Sequence, residues 1–275
     1  MLCRKLCRSH ASLVRMSPHS ASPPEPEVVS VEWHRPLQWL GRAWIDIERS
    51  PTIGAGHGLV LALLGAALLY FCRHHFWWLA AWLSIFMLVA PLLACGLYEV
   101  SRQLSLGRTP GWQDALRVWT SGDRRLIGLG VLLGLSCVGW VLSSAALIYG
   151  AYPTGIVTPE DFLRRVVLRS ELGLFELWLF MGAVLAAPMF ASVVIAIPLL
   201  LDRPVRLWTA VHTSWRVVAH NPAAMAFWAL LLTLFTLLGL GSALLGLLGV
   251  VPLLAHASWY AYRDLVRPDQ PGHPA

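Results

Sequence analysis

At 275 residues, with 57% apolar side chains and only 13% charged ones, the chain is too apolar for an ordinary soluble domain, where about a quarter of residues carry charge. A net charge of +6 would suggest nucleic acid on a soluble protein. Here the basic residues flank long uncharged runs such as 126–150 and 177–201, each long enough to cross a hydrocarbon core of ~30 Å. The expected fold class is therefore an all-α polytopic membrane protein, with the lipid bilayer as its partner and no nucleic acid.

The first 34 residues lack the apolar stretch of a secretory signal, and from Ser17 the Pro, Ser and Glu bias of "SPHSASPPEPE" reads as a disordered tail. Met16 opens a more typical N-terminus than Met1, which suggests that residues 1–15 precede the natural start. Cys3 and Cys7 have CxxxC spacing in this tail, while Cys72, Cys95 and Cys137 lie in or beside spans. Inert buried thiols and a metal or disulfide role are both readings of these cysteines.

Six spans follow in order: 53–72, 76–98, 126–150, 175–201, 223–241 and 244–262. The last two come from one apolar block, 223–262, whose helix would be about 60 Å long at ~1.5 Å per residue. That block must fold back, and "GLGSALLG" (239–246) is where it turns. With both termini inside, 17 of the 21 Lys and Arg fall on cytoplasmic segments and only Arg73, Arg164, Arg165 and Arg169 on outer ones. This is a positive-inside pattern with N and C termini cytoplasmic.

"APLLACGLYEV" (90–100) and "VPLLAHASWYA" (251–261) share Pro-Leu-Leu-Ala, and "APMFASVVIA" (187–196) is a weaker third copy. A Trp-bearing segment precedes each pair of spans: 35–51, 108–125 and 203–222. The chain thus reads as three tandem units, about 35–104, 108–201 and 203–265, within a membrane domain 35–266 followed by a disordered tail 267–275. Each unit is an amphipathic helix plus two spans.

Apolar residues in the three short helices recur at helical spacing: Leu37, Leu40, Trp44 and Ile47; then Trp112, Leu116 and Trp119; then Val205, Trp208, Val211, Trp215 and Val218. Arg35, Arg42, Arg49, Arg117, Arg206 and Arg216 fall mostly off these stripes. Two readings stand: in-plane interfacial helices, with Trp at headgroup depth and Arg toward phosphate, or connecting helices packed on the bundle.

The segments "RPLQWLGRAWIDIERSPTIGAGHGLVLALLG", "APLLACGLYEVSRQLSLG" and "PVRLWTAVHTSWRVVAHNP...VPLLAHASWYAYRDLV" resemble a family of bacterial predicted integral membrane proteins called domain of unknown function 2189. The resemblance covers about 35–266 and implies a multi-span protein of the bacterial inner membrane. Some relatives carry cytochrome c oxidase-like labels.

The residues do not supply an oxidase centre, which needs several intramembrane His; the spans hold His57 and His256. A bis-His haem from those two is geometrically conceivable. No Ser/His/Asp ordering, HExxH, P-loop or CxxC is legible, and Gly54, Gly56 and Gly58 read as helix packing or flexibility. No cofactor or metal is expected.

Glu99 and Arg102 are spaced to pair at i,i+3. Arg102 and Arg263, each eleven residues after its Pro, are candidates for lipid phosphate contact, with Trp44, Trp119 and Trp215 at headgroup depth. Pro91, Pro188 and Pro252 kink the second span of each unit and, with His256, either ring a cavity or share a packing bend. The expectation is a non-enzymatic membrane organiser or accessory factor of a membrane complex. The alternatives are a small-solute or lipid permease and a haem- or copper-linked respiratory accessory.

Overall fold

A span in hydrocarbon must satisfy its backbone internally, which selects helix. The structure, a computed structural model, describes residues 26–168 and 173–267. Cys3, Cys7, Met16, Arg169, Glu171 and most of both tails lie outside the described residues. Among the described residues the regular structure is helical, with one isolated antiparallel bridge between Val28 and Val266.

In chain order the helices are α1 (Arg35–Arg49), α2 (Pro51–Cys72), α3 (Phe76–Leu93), α4 (Cys95–Ser105), α5 (Trp112–Thr120), α6 (Arg124–Ala151), α7 (Pro159–Phe162), α8 (Leu174–Val193), α9 (Ala196–Asp202), α10 (Leu207–His220), α11 (Pro222–Gly241) and α12 (Leu247–Leu265). A π-helical turn, Leu163–Val167, follows α7. Five helical stretches are long and apolar enough to cross a membrane: Pro51–Cys72, Phe76–Ser105, Arg124–Ala151, Leu174–Asp202 and Pro222–Gly241. α12 is not among these: its second half carries His256, Ser258, Tyr260, Tyr262, Arg263 and Asp264.

The 40-residue apolar block folds back where the glycines suggested. The turn between α11 and α12 puts Ala243 and Leu244 at φ 53° and 69°, a left-handed step costing an L-residue roughly 1–2 kcal/mol. Ser242 supports it, donating to Gly239 O at 2.9 Å and accepting from Gly246 N at 2.7 Å.

Pro91 and Pro188 lie inside α3 and α8, and each of these helices is interrupted further along, at Ala94 and at Val194–Ile195. Irregular backbone at membrane depth is tolerated where protein covers it. Ile195 is buried, and its N–H donates to Ser214 Oγ on α10 at 3.1 Å. Pro252 lies within an unbroken α12.

The short helices pack on the ends of spans: α1 along α12, α5 against α4, and α10 against α8 and α9. Spans pair similarly, α2 along α12 and α6 along α3, whereas α11 leans on α12 and stands off α8. Gly54 and Gly58 allow α2 to sit tightly on α12; a Cβ at Gly58 would come within 2.6 Å of Leu248 Cα. The main core lies at this end of the bundle, around Trp39, Trp228, Trp259 and Tyr262. Large side chains such as Leu63, Val131, Leu135 and Phe180 are exposed along the spans, as a lipid-facing surface requires.

Candidate functional site

Ionisable groups buried in a membrane protein are expensive and mark function by default, so the candidate site is built around Asp46. In α1 the residues Pro36, Trp39, Ala43 and Asp46 share one face, and that face is buried on α12. Asp46 is therefore carried under the helix rather than into solvent, and is 1% exposed. Two hydroxyls meet its carboxylate. Ser101 Oγ of α4 donates to Oδ2 at 2.6 Å, and Tyr260 OH of α12 lies 3.0 Å from both oxygens. Burial raises the Asp46 pKa above its ordinary value, and the bonds from Ser101 and Tyr260 and the charge of Arg49 only partly offset that.

His256 Nδ1 lies 2.6 Å from Ser101 Oγ. The single Ser101 proton points at Asp46, so the network assigns the His256 proton to Nδ1, donating into Ser101. The chain of bonds runs His256, Ser101, Asp46. Ser, His and Asp are thus brought together, which the linear sequence did not reveal. The connectivity differs from a nucleophilic triad, where His stands between the carboxylate and Ser and takes the Ser proton. Here Ser101 is between the other two and fully buried, so it is neither activated nor reachable. The arrangement joins three helices through a buried, charge-bearing knot.

His57 of α2 lies beside this knot. Its Nδ1 is 2.9 Å from Ile53 O, its ring stacks on Trp112 at 6.0 Å, and Trp119 meets it edge-on at 6.1 Å. A Cβ added to Gly96 would fall 2.8 Å from His57 Nε2. The α4 backbone therefore occupies the space at that nitrogen where a haem plane would have to lie, and the residues do not fit a bis-His haem. Among the described residues no group of three or more His, Cys, Asp and Glu is placed to hold a metal ion. Cys72, Cys95 and Cys137 are buried free thiols.

A second carboxylate joins the same two helices. Asp264 of α12 accepts from Arg35 Nε at 2.8 Å, Trp39 Nε1 at 2.9 Å and Arg42 Nη1 at 3.0 Å. Burial opposes its charge, yet the bonds from Arg35 and Trp39 and the charge of Arg42 together hold its pKa below the ordinary value. Arg35 and Arg42, which the in-plane reading turns toward phosphate, bond this half-buried acid.

Arg102 and Arg263, each eleven residues after a Pro, have different surroundings. Arg102 forms the expected pair with Glu99, bidentate at 2.7 and 3.0 Å. It lines a polar cleft of about 370 Å³ together with Asp114, Arg117, Asp123 and Arg125. Arg125 closes one wall, donating to the carbonyls of Leu200, Arg203 and Val205 at 2.9–3.0 Å and so capping the end of α9. Arg263 is exposed, and no hydrogen bond or ion pair is found for it among the described residues.

Trp44, Trp119 and Trp215 are 58%, 44% and 46% exposed, and two of them keep a polar anchor: Trp44 Nε1 donates to Glu48 and Trp215 Nε1 to Ser192. The three prolines do not ring one cavity. An apolar cleft of about 420 Å³ is lined by Pro91 but not by Pro188, Pro252 or His256. Pro252 instead packs against Gly54.

Sequence reasoning missed Asp46, Ser101, Tyr260 and Asp264. Only Asp46 left a signal, an acid in phase with Trp39 and Ala43 on the buried face of α1.

Residues 78–202 match the family described as Predicted integral membrane protein (DUF2189). The match runs from α3 to the end of α9, a shorter stretch than the 35–266 of the sequence resemblance. It includes Pro91, Ser101, Arg102, Trp119 and Pro188 and leaves out Asp46, His57, His256 and Asp264. No curated protein and no solved structure matches the chain. The chain is an integral membrane protein that contacts the bilayer through several apolar helices.

Proposed function

We propose that the chain is a non-enzymatic, six-span protein of the bacterial inner membrane, built of three tandem units with both termini cytoplasmic, and that it organises the membrane or serves as accessory to a larger membrane complex. The observation that carries this reading is the meeting of residues 27–29 with 265–267, the two segments that flank the helices. Val28 bridges Val266, Val29 N donates to Leu265 O at 2.9 Å, and Arg267 N to Glu27 O at 3.0 Å. A chain that starts and finishes on one side crosses an even number of times, so five apolar crossings require a sixth. α12 is that crossing, and its polar half is shielded from lipid by α1, α2 and α4.

The order of packing supports three units. Each short helix sits on the second span of the unit before it, α5 on α4 and α10 on α8 and α9, and α1 closes the ring on α12. This arrangement leaves the stripes of Trp44, Trp112, Trp119, Trp208 and Trp215 uncovered. They form a collar suited to the headgroup region, where amphipathic Trp is favoured. Arg263, exposed beside the collar, is the better phosphate contact; Arg102 is already held by Glu99.

Tryptophan quenching in proteoliposomes tests the collar. Lipids brominated near the headgroup are expected to quench variants keeping only Trp44, Trp119 or Trp215 more strongly than lipids brominated at the chain end. Strong quenching by aqueous iodide with none by either lipid would show that the helices are ordinary solvent-facing connectors.

A further inference from the structure

The spans pair in a repeating way, α2 on α12 and α6 on α3, but the third such pair, α11 on α8, is not made. The apolar cleft lies in that gap. Val193 and Val194 form one wall, Leu232 and Thr236 another, the stretch of α3 and α4 from Phe86 to Tyr98 a third, and α12 from Leu247 to Ser258 the floor. We propose that this cleft holds one acyl chain of a membrane phospholipid, taken in sideways between α8 and α11.

Its chemistry admits hydrocarbon and little else. No charged side chain lines it. Thr233 and Ser258 spend their hydroxyl protons within their own helices, donating to Ala229 O at 2.8 Å and to Leu254 O at 2.7 Å. An ion, a sugar or a peptide backbone would lose its water without a replacement partner, at a cost of several kcal/mol per group; a methylene chain loses nothing.

Its dimensions choose a chain over a helix. From Leu247 to Ser258 the floor runs roughly 16 Å at ~1.5 Å per residue, about half of the ~30 Å hydrocarbon core and so one leaflet deep. α3, α8, α11 and α12 already line this volume of about 420 Å³, so a slender chain enters where a further helix, about 10 Å across, would have to part them. α10 covers the end of the gap nearest the collar, bound to α8 by Trp215 to Ser192 at 3.0 Å and to the break after it by Ile195 to Ser214 at 3.1 Å. In the proposed arrangement the remaining opening, between α8 and α11, faces the bilayer.

Native mass spectrometry of the full chain released from mild detergent tests the assignment. Wild type is expected to retain one adduct of phospholipid mass. Thr236→Trp, which fills the cleft, is expected to lose at least tenfold of that occupancy, and Leu230→Trp, on the exposed side of α11, to keep it. Val193→Phe serves if Thr236→Trp does not fold. In vesicles of wild type, a phospholipid with a photoreactive group on its acyl chain should label α8 and α11 at the cleft-lining positions. Equal adduct in the filled variant, an adduct of non-phospholipid mass, labelling spread evenly over all spans, or a dimer lost on filling the cleft would each overturn the proposal.

Discussion

Asp46 and Asp264 hold the same two helices together by opposite means. Asp46 lies under α1 with two neutral hydroxyls for partners, and burial pushes its pKa up. Asp264 lies near the end of α12 among Arg35, Arg42 and Trp39, and despite burial its pKa falls. Depth decides the difference. A guanidinium taken as far in as Asp46 would add a second desolvation cost, whereas Arg35 and Arg42 remain more than a third exposed. The inner acid fixes which helices meet; the outer one adds modest, salt-sensitive adhesion.

Removing the aromatic anchor of α1 should cost most. Trp39 is fully buried, packs edge-to-face on Trp228 at 5.6 Å and donates to Asp264. Trp39→Ala is expected to lose about 3–5 kcal/mol, seen as a large fall in thermal midpoint in detergent. Asp46→Ala comes next at about 1–3 kcal/mol, because it leaves the buried Ser101 hydroxyl and the half-buried Tyr260 hydroxyl without their acceptor; that loss should be the same at low and high salt. Asp264→Asn is the smallest, about 1 kcal/mol or less for partners this exposed, and should shrink as salt is added. Equal salt dependence for the two acids would erase the distinction.

Acidity separates them by sign. The stability from Asp264 is complete above the ordinary aspartate value of 3.8 and is lost as pH falls through its lowered pKa. Asp46 behaves in reverse: its contribution is complete below 3.8 and declines as pH rises through its raised pKa. Thermal midpoints should therefore shift in favour of Asp46→Asn, relative to wild type, from about pH 4 upward. For Asp264→Asn the deficit should narrow only below about pH 4.

Five of the six expected spans were legible because run length is local. The same locality gave Glu99–Arg102, one turn apart. Ser101 meets Asp46 across 55 residues and His256 across 155, distances over which a single sequence carries no pairing signal. The bonds of Arg35 and Arg42 were hidden for the same reason, since Asp264 lies more than 200 residues away. The prolines are a different case. Pro91, Pro188 and Pro252 share a motif but not a neighbourhood, because α11 does not repeat against α8 the packing that α2 makes with α12.

The central claim is that α12 crosses the membrane and returns the chain to its starting side. Single cysteines at His74, Glu32 and Arg263, in a background without the native cysteines, can be probed with an impermeant maleimide on intact spheroplasts. The account predicts that position 74 is labelled at once, and that 32 and 263 react only after the membrane is opened. Labelling of 263 from outside with 32 protected would mean that α12 does not cross, and would contradict it.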